Sequence, residues 1–272
     1  MASVKIGIIA GTGFNDPKLF DGRIEKSVTT AYGEPSDDLV CGKIAGVDCV
    51  VLSRHSKKHG VSPSNINYRA NIMALKNEGC THIIATTAVG SLKEEVKMGD
   101  IVFVDQVFDR CFKRETTFYD GKPGSLEGVV HIPMHEPLCT DTRQILIESA
   151  KELNLPFHPS GTAITIEGPR FSTKPESKFY QSLDASVIGM TLCPEVFLAK
   201  EAAISYASIA LITDYDTWKE DAEVDVPTVM KTMKENSIKA KNLILSVIPK
   251  IAAKDWSSVM KKNQAMVQNA TM

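Results

Sequence analysis

The sequence predicts one α/β domain built on a largely parallel sheet. Two patterns and one size argument lead there. Several short runs are apolar on consecutive positions rather than alternating ones, as in strands covered on both faces. Stretches with apolar residues at helical spacing fall between them. The chain has 272 residues, 43% hydrophobic and 24% charged, which suits one sizeable core.

The expected strands are Val4–Ala10, Asp48–Leu52, His82–Ala88, Ile101–Val104, Ala185–Met190 and Ala207–Thr213. Asn67–Glu78 reads as a helix stopped by Gly79. Thr142–Leu153 reads as a second, and Pro194–Ile204 as a third that opens on a proline suited to a first turn. The last expected helix runs from about Val226 to Ile251. Its stripe of Val226, Val229, Met230, Met233, Ala240, Leu243, Ile244, Val247 and Ile248 is expected to pack on the sheet. Phe112–Gly128 is polar and turn-rich, so it is a loop rather than a domain boundary. The whole of 1–272 is expected to form one domain, with the least defined part after about residue 251.

A formal net charge of −2 gives no general basic field for nucleic acid. No run approaches the length of a membrane span. The N-terminal residues lack the pattern of a signal peptide. The six cysteines are scattered without a C-x-x-C pair, so neither a zinc ribbon nor a dithiol redox site is expected. Buried free thiols in a reducing compartment are.

Five segments carry chemistry. Gly11-Thr12-Gly13 follows a buried strand. It suits either an anion cradle or an ordinary strand-end turn, and it matches neither G-x-G-x-x-G nor a P-loop. Arg54-His55, with His59 nearby, follows the strand ending at Leu52. An arginine fork there suits phosphate. A zinc reading of His55 and His59 lacks the H-E-x-x-H glutamate, and Gly60 and Pro63 oppose a helix. A solvated loop is the plainer alternative. Thr86-Thr87-Ala88-Val89-Gly90-Ser91 offers small residues and hydroxyls at a strand end, or simply a turn. Ile164–Ser172 is a compact polar and aromatic patch with a Gly-Pro turn. Thr213-Asp214-Tyr215-Asp216 ends an apolar strand with two carboxylates, which suit acid–base work, a metal or a helix cap.

Together with Asn67-Tyr68 and Met190-Thr191, these segments resemble, in order and over roughly the first 250 residues, the 5′-methylthioadenosine phosphorylase family within the trimeric purine nucleoside phosphorylases. The resemblance implies a single-domain, three-layer αβα fold with a mixed, mostly parallel central sheet. It implies a homotrimer in the cytoplasm and also the nucleus, working in purine and methionine salvage. Neither metal nor organic cofactor is implied, phosphate being a co-substrate. Phosphate would meet Thr12, Arg54, His55, Thr87, Ala88 and Thr191. The nucleoside would meet Phe171, Ser172, Ile188, Met190, Asp214 and Asp216. Its methylthio group would enter an apolar pocket of Val226, Val229 and Met230, closed by His131 of a neighbouring subunit. Asp214 would be the acid at N7, its pKa raised by burial beside Asp216.

Carboxylates suit the amino group of adenine. A 6-oxopurine would prefer a donor such as asparagine. The alternatives are phosphorolysis of adenosine, inosine or guanosine, a hydrolytic nucleosidase, and a silent nucleotide-binding protein. The chain departs from the family pattern at Ala10, Ser56 and Gly189, where glycine, glycine and asparagine are usual.

Overall fold

The computed structural model describes residues 3–10, 17–56, 60–222 and 224–272. Eleven strands form one branched sheet, and six of its ten strand pairings are parallel. The central strands are β1 (Ile6–Ala10), β4 (Val47–Ser53), β5 (His82–Ser91) and β11 (Ser205–Asp214). Parallel to one another in the order β4-β1-β5-β11, they are the long apolar runs of the sequence.

Their side chains alternate between two cores. Ile9, Val50, Leu52, Ile83, Ala85, Ala210 and Ile212 enter one. Ile6, Ile8, Cys49, Val51, Ile84, Ile209 and Leu211 enter the other. A run apolar at every position thus feeds both faces. The helices α1 (Tyr68–Asn77) and α4 (Leu192–Glu201) cover the first face. The helices α2 (Thr140–Glu152) and α5 (Val226–Ala253) cover the second. This is the expected three-layer fold.

Strand β5 is the pivot. Its first half pairs with β1, and its last two residues pair antiparallel with β10 (Val187–Gly189). From β10 the sheet continues through β9 (Thr162–Ile166) to β7 (Gln106–Arg110). The antiparallel β2 (Asp21–Lys26) and β3 (Leu39–Ile44) extend the sheet beyond β4. Strand β6 (Ile101–Phe103) joins β11 to β8 (Phe157–His158). The sheet therefore opens beyond Ala85 on one side of β5, where the C-terminal ends of β4, β5 and β11 meet β9 and β10.

Three expectations change. The apolar stripe of α5 divides: Ala240, Leu243, Ile244, Val247 and Ile248 are fully packed, whereas Val226 and Met230 are more than half exposed. Two helices lie outside the sequence reading. Helix α3 (Lys174–Ser182) has a capping box, with Thr173 accepting from the Glu176 N–H while the Glu176 carboxylate accepts from the Thr173 N–H. Helix α6 (Ser257–Ala270) orders the chain beyond residue 251. Val259 and Met260 pack on the second core, and Thr271 pairs with Val130. In α4, Cys193 has non-helical backbone angles, so the regular turns begin at Pro194 as expected.

All six cysteines are free. Cys41, Cys49, Cys80 and Cys193 are buried as expected, whereas Cys111 and Cys139 depart from that expectation and are partly exposed. Phe112–Gly128 forms no strand or helix, yet it is pinned by the fully buried Phe118. Among the described residues no helix is long and apolar enough to cross a membrane.

Candidate active site

The opening in the sheet leads into a cavity of about 320 Å³. Its wall includes Arg54 and His55 after β4, and Thr86, Ala88, Val89 and Gly90 of β5. Ile188, Gly189, Met190 and Thr191 follow from β10, then Asp214 and Asp216 from the end of β11. Pro169 and Phe171 come from the loop after β9, and Val229, Met230 and Met233 from α5. Ligands in open α/β sheets bind at such strand ends.

Arg54 is buried at 3% exposure and makes three hydrogen bonds. Its Nε and Nη2 donate to the two carboxylate oxygens of Glu195, at 2.8 and 2.9 Å. Its Nη1 donates to the Thr86 carbonyl at 2.8 Å. The Nδ1 of His55 lies 2.9 Å from the Val61 carbonyl oxygen, so that nitrogen carries the proton. Thr191 sits at the N-cap of α4 but its hydroxyl does not cap the helix. The side chain is left to the cavity.

The carboxylates are held by local geometry. A register shift between Ile212 and Asp214 disturbs the β5–β11 pairing, the kind of irregularity that re-aims a side chain beside a site. Asp214 Oδ1 accepts from the Asp216 N–H at 2.8 Å, and Oδ2 accepts from the Thr213 hydroxyl at 2.7 Å. Asp216 has φ +49°, a left-handed conformation that aspartate tolerates. Neither residue caps a helix, since α5 is capped by Asp225. Nor does any group of three metal-ligating side chains occur among the described residues.

Burial raises the pKa of Asp214, opposed by the Thr213 hydroxyl and the Asp216 N–H. Burial is thus the cause, as expected. Asp216 is also raised by burial. The hydroxyls of Ser177 and Ser172 favour its charged form, and the Asp214 charge opposes it. Yet Ser172 Oγ, Ser177 Oγ and Asp216 Oδ2 are each buried without a well-directed hydrogen bond among the described residues.

Gly90 lies against this pair. A Cβ there would fall 2.7 Å from Asp214 Oδ1. Gly168 has φ +64°, a conformation that favours glycine, and a Cβ there would displace the Met190 side chain, whose Sδ would lie 2.6 Å away. The loop carrying Phe171 is tied down by Arg114, which donates to the carbonyls of Glu167 and Cys193 and to the Tyr68 hydroxyl.

The expected residues divide in three ways. Arg54, His55, Ala88, Thr191, Phe171, Ile188, Met190, Asp214, Asp216, Val229 and Met230 line the one cavity. Ser172 is buried behind Asp216. Thr87 faces a small adjoining void with Met190 and Thr191, while Thr86 faces the main cavity. Val226 and His131 are not part of the wall. Thr12 and His59 lie outside the described residues. Glu195, Ser177 and Arg114 escaped the sequence reading. The readable signs were an acidic residue inside the apolar Leu192–Glu201 segment, and Thr173 and Glu176 at capping-box spacing.

A strand-end cavity thus joins a buried arginine to a pair of buried carboxyls. A family model described as the phosphorylase superfamily matches residues 5–249. The S-methyl-5′-thioadenosine phosphorylase of Xenopus tropicalis is 57% identical over 274 residues, covering 100% of this chain and 98% of its own. That of Danio rerio is 54% identical, covering 99% and 96%. The methylthioadenosine phosphorylase of Schistosoma mansoni, solved in complex with adenine, superimposes with a TM-score of 0.95. It is 44% identical and covers 99% of both chains. The chain belongs to the S-methyl-5′-thioadenosine phosphorylases of the phosphorylase superfamily.

Proposed function

We propose that this protein cleaves 5′-methylthioadenosine with inorganic phosphate, giving adenine and 5-methylthioribose-1-phosphate. The observation that carries the reading is the one cavity joining Arg54, His55 and Thr191 to Asp214, Asp216 and an apolar wall from α5. A phosphate oxygen attacks C1′ as the C1′–N9 bond breaks, and the bond pair moves into the purine. Asp214, its pKa raised by burial, gives its proton to N7, so the base leaves neutral. The bound phosphate also stabilises the cationic character of the ribose.

The Asp216 carboxylate lines the cavity beside Asp214 and suits the amino group of a 6-aminopurine, because buried polar atoms demand partners. Val229, Met230 and Met233 offer a 5′ substituent apolar contact, which suits methylthio better than hydroxyl. Residues 1–272 act as one unit in a homotrimer, with the partner subunit's His131 closing the 5′ end. Phosphate and nucleoside are the only small molecules the reaction requires.

A second reading, turnover of adenosine as well, draws support from a Schistosoma mansoni relative named adenosine/methylthioadenosine phosphorylase, 45% identical and with a TM-score of 0.95. Products should be analysed with methylthioadenosine, adenosine and inosine, each with and without phosphate, alongside the mass in solution. Adenine should appear from methylthioadenosine only with phosphate. Methylthioadenosine should exceed adenosine in kcat/KM, and the mass should be three times that of the chain. Equal turnover without phosphate overturns the phosphorylase reading, equal kcat/KM for the two nucleosides overturns the 5′ assignment, and an active monomer overturns the trimer.

A further inference from the structure

The polar cluster behind the cavity is more elaborate than anion binding alone requires. Arg54 does not face the cavity as an isolated cation. Its charge is matched by Glu195, which is fully buried, and the pairing is side-on and bidentate. Glu195 is itself fixed from behind, because the Tyr206 hydroxyl donates to Glu195 Oε1 at 2.7 Å and Tyr206 is buried at 2% exposure. With the Thr86 carbonyl as a third acceptor, the guanidinium plane is set on two edges. These bonds take three of the five N–H groups of an arginine. One N–H on each Nη is left for ligand oxygens.

Because the ion pair is electrically neutral, it contributes direction more than field. A flexible buried cation would attract an anion from any angle. A clamped fork presents its N–H pair in one orientation, and misplacement of reacting groups by about 1 Å costs on the order of a hundredfold in rate. Tyr206 lies near the start of the strand that ends at Asp214, so the part that clamps the arginine and the part that carries the acid belong to one element.

We propose that Glu195 and Tyr206 are positioning residues for the phosphate co-substrate: Tyr206 fixes the Glu195 carboxylate, and Glu195 fixes the Arg54 fork. The inference rests on the reading of Arg54 as a phosphate ligand. Neither residue touches the reacting atoms; both act through Arg54.

The test is steady-state kinetics with phosphate and methylthioadenosine varied separately, on the full assembled protein, with thermal unfolding recorded for each variant. Tyr206→Phe removes one hydroxyl and leaves the ring in the core. It should raise the phosphate KM about three- to tenfold and leave the methylthioadenosine KM within twofold. Glu195→Gln keeps the shape and removes the charge. It should raise the phosphate KM at least tenfold, although it leaves Arg54 with an unmatched positive charge. A lower phosphate KM in Glu195→Gln overturns the proposal, because the pair would then matter as a charge balance.

Arg54→Lys separates the two layers of the argument. An unchanged phosphate KM in Arg54→Lys removes the phosphate assignment of Arg54 itself. If Arg54→Lys raises that KM, the Tyr206→Phe effect should vanish when added to it, since the hydroxyl acts only through the arginine. A Tyr206→Phe effect of full size in the Arg54→Lys background, or equal changes in both KM values, marks a structural role and overturns the positioning claim.

Discussion

In the proposed reaction the chemistry turns on Asp214, and its hydrogen bonds fix what a substitution there would do. In Asp214→Asn the atom facing the Asp216 N–H must remain a carbonyl oxygen, since an amide nitrogen would oppose a donor. The NH₂ group then takes the Oδ2 place beside Thr213, whose hydroxyl can turn to accept from it. The variant should fold, and its amide can donate to N7 without transferring a proton. Activity on methylthioadenosine should fall by a factor of about ten to a hundred, the usual scale for losing a general acid. Relative activity on inosine should rise, as the amide can meet a 6-oxo group that carboxylates repel. Paired assays on a folded variant check both, and wild-type kcat/KM for methylthioadenosine would remove Asp214 as the acid. Asp214 and Arg54 were legible because a charged residue at the end of an apolar run stands out. Thr86 and Thr87 were not separable: β5 is covered on both faces, so nothing in its pattern tells which hydroxyl faces the cavity. Ser56 was legible as a departure from glycine, and its φ of +64° supplies the reason that glycine is usual there.

At the scale of elements, the site is built where β5 and β11 end, and their fit depends on one missing side chain. Asp214 pairs with Gly90 just past the register shift. A Cβ at Gly90 would also lie 3.1 Å from the Asp216 backbone nitrogen, so the obstruction includes backbone that cannot swing away. Gly90→Ala should therefore displace the Asp214–Asp216 turn. We expect a loss of about 1–3 kcal/mol of stability, the scale of overpacking, and a fall in kcat beyond what the melting shift explains. Thermal unfolding and kinetics together check this, and a stable Gly90→Ala enzyme with wild-type kcat would show that the strand ends can part. The long central strands and α1, α2, α4 and α5 were readable from their periodicity. Strand β9 was not, because its five residues, Thr-Ala-Ile-Thr-Ile, merge into a polar segment. Helix α6 was missed because it buries no residue fully and so carries only a thin apolar stripe.

The whole molecule carries a pH limit that lies outside the active site. His82, on β5, is fully buried with its ring edge-on to Trp256, the centroids 4.3 Å apart, and its Nε2 has no hydrogen-bond partner among the described residues. Burial, aided by the Lys254 charge, lowers its pKa to about 4 from the ordinary 6.5. The unfolded chain takes up this proton near pH 6.5 and the folded chain only near 4. Between those values the unfolded state binds more protons, so stability must fall as the pH falls. The span of about 2.5 units corresponds to roughly 3 kcal/mol, complete near pH 4. Asp214, Asp216 and Glu201 work in the opposite sense. Burial raises all three, so the folded state gains their protons first as the pH drops. That gain offsets part of the loss, and it begins only at their folded pKa values. His82→Phe keeps an aromatic edge against Trp256 and removes the titration. Its stability should fall less than half as much as that of the wild type between pH 6.5 and 4.5, read by denaturant unfolding at one fixed protein concentration. Parallel acid limbs in the two proteins would assign the loss to surface carboxylates such as Glu78 and Glu176, whose partners hold their pKa values low.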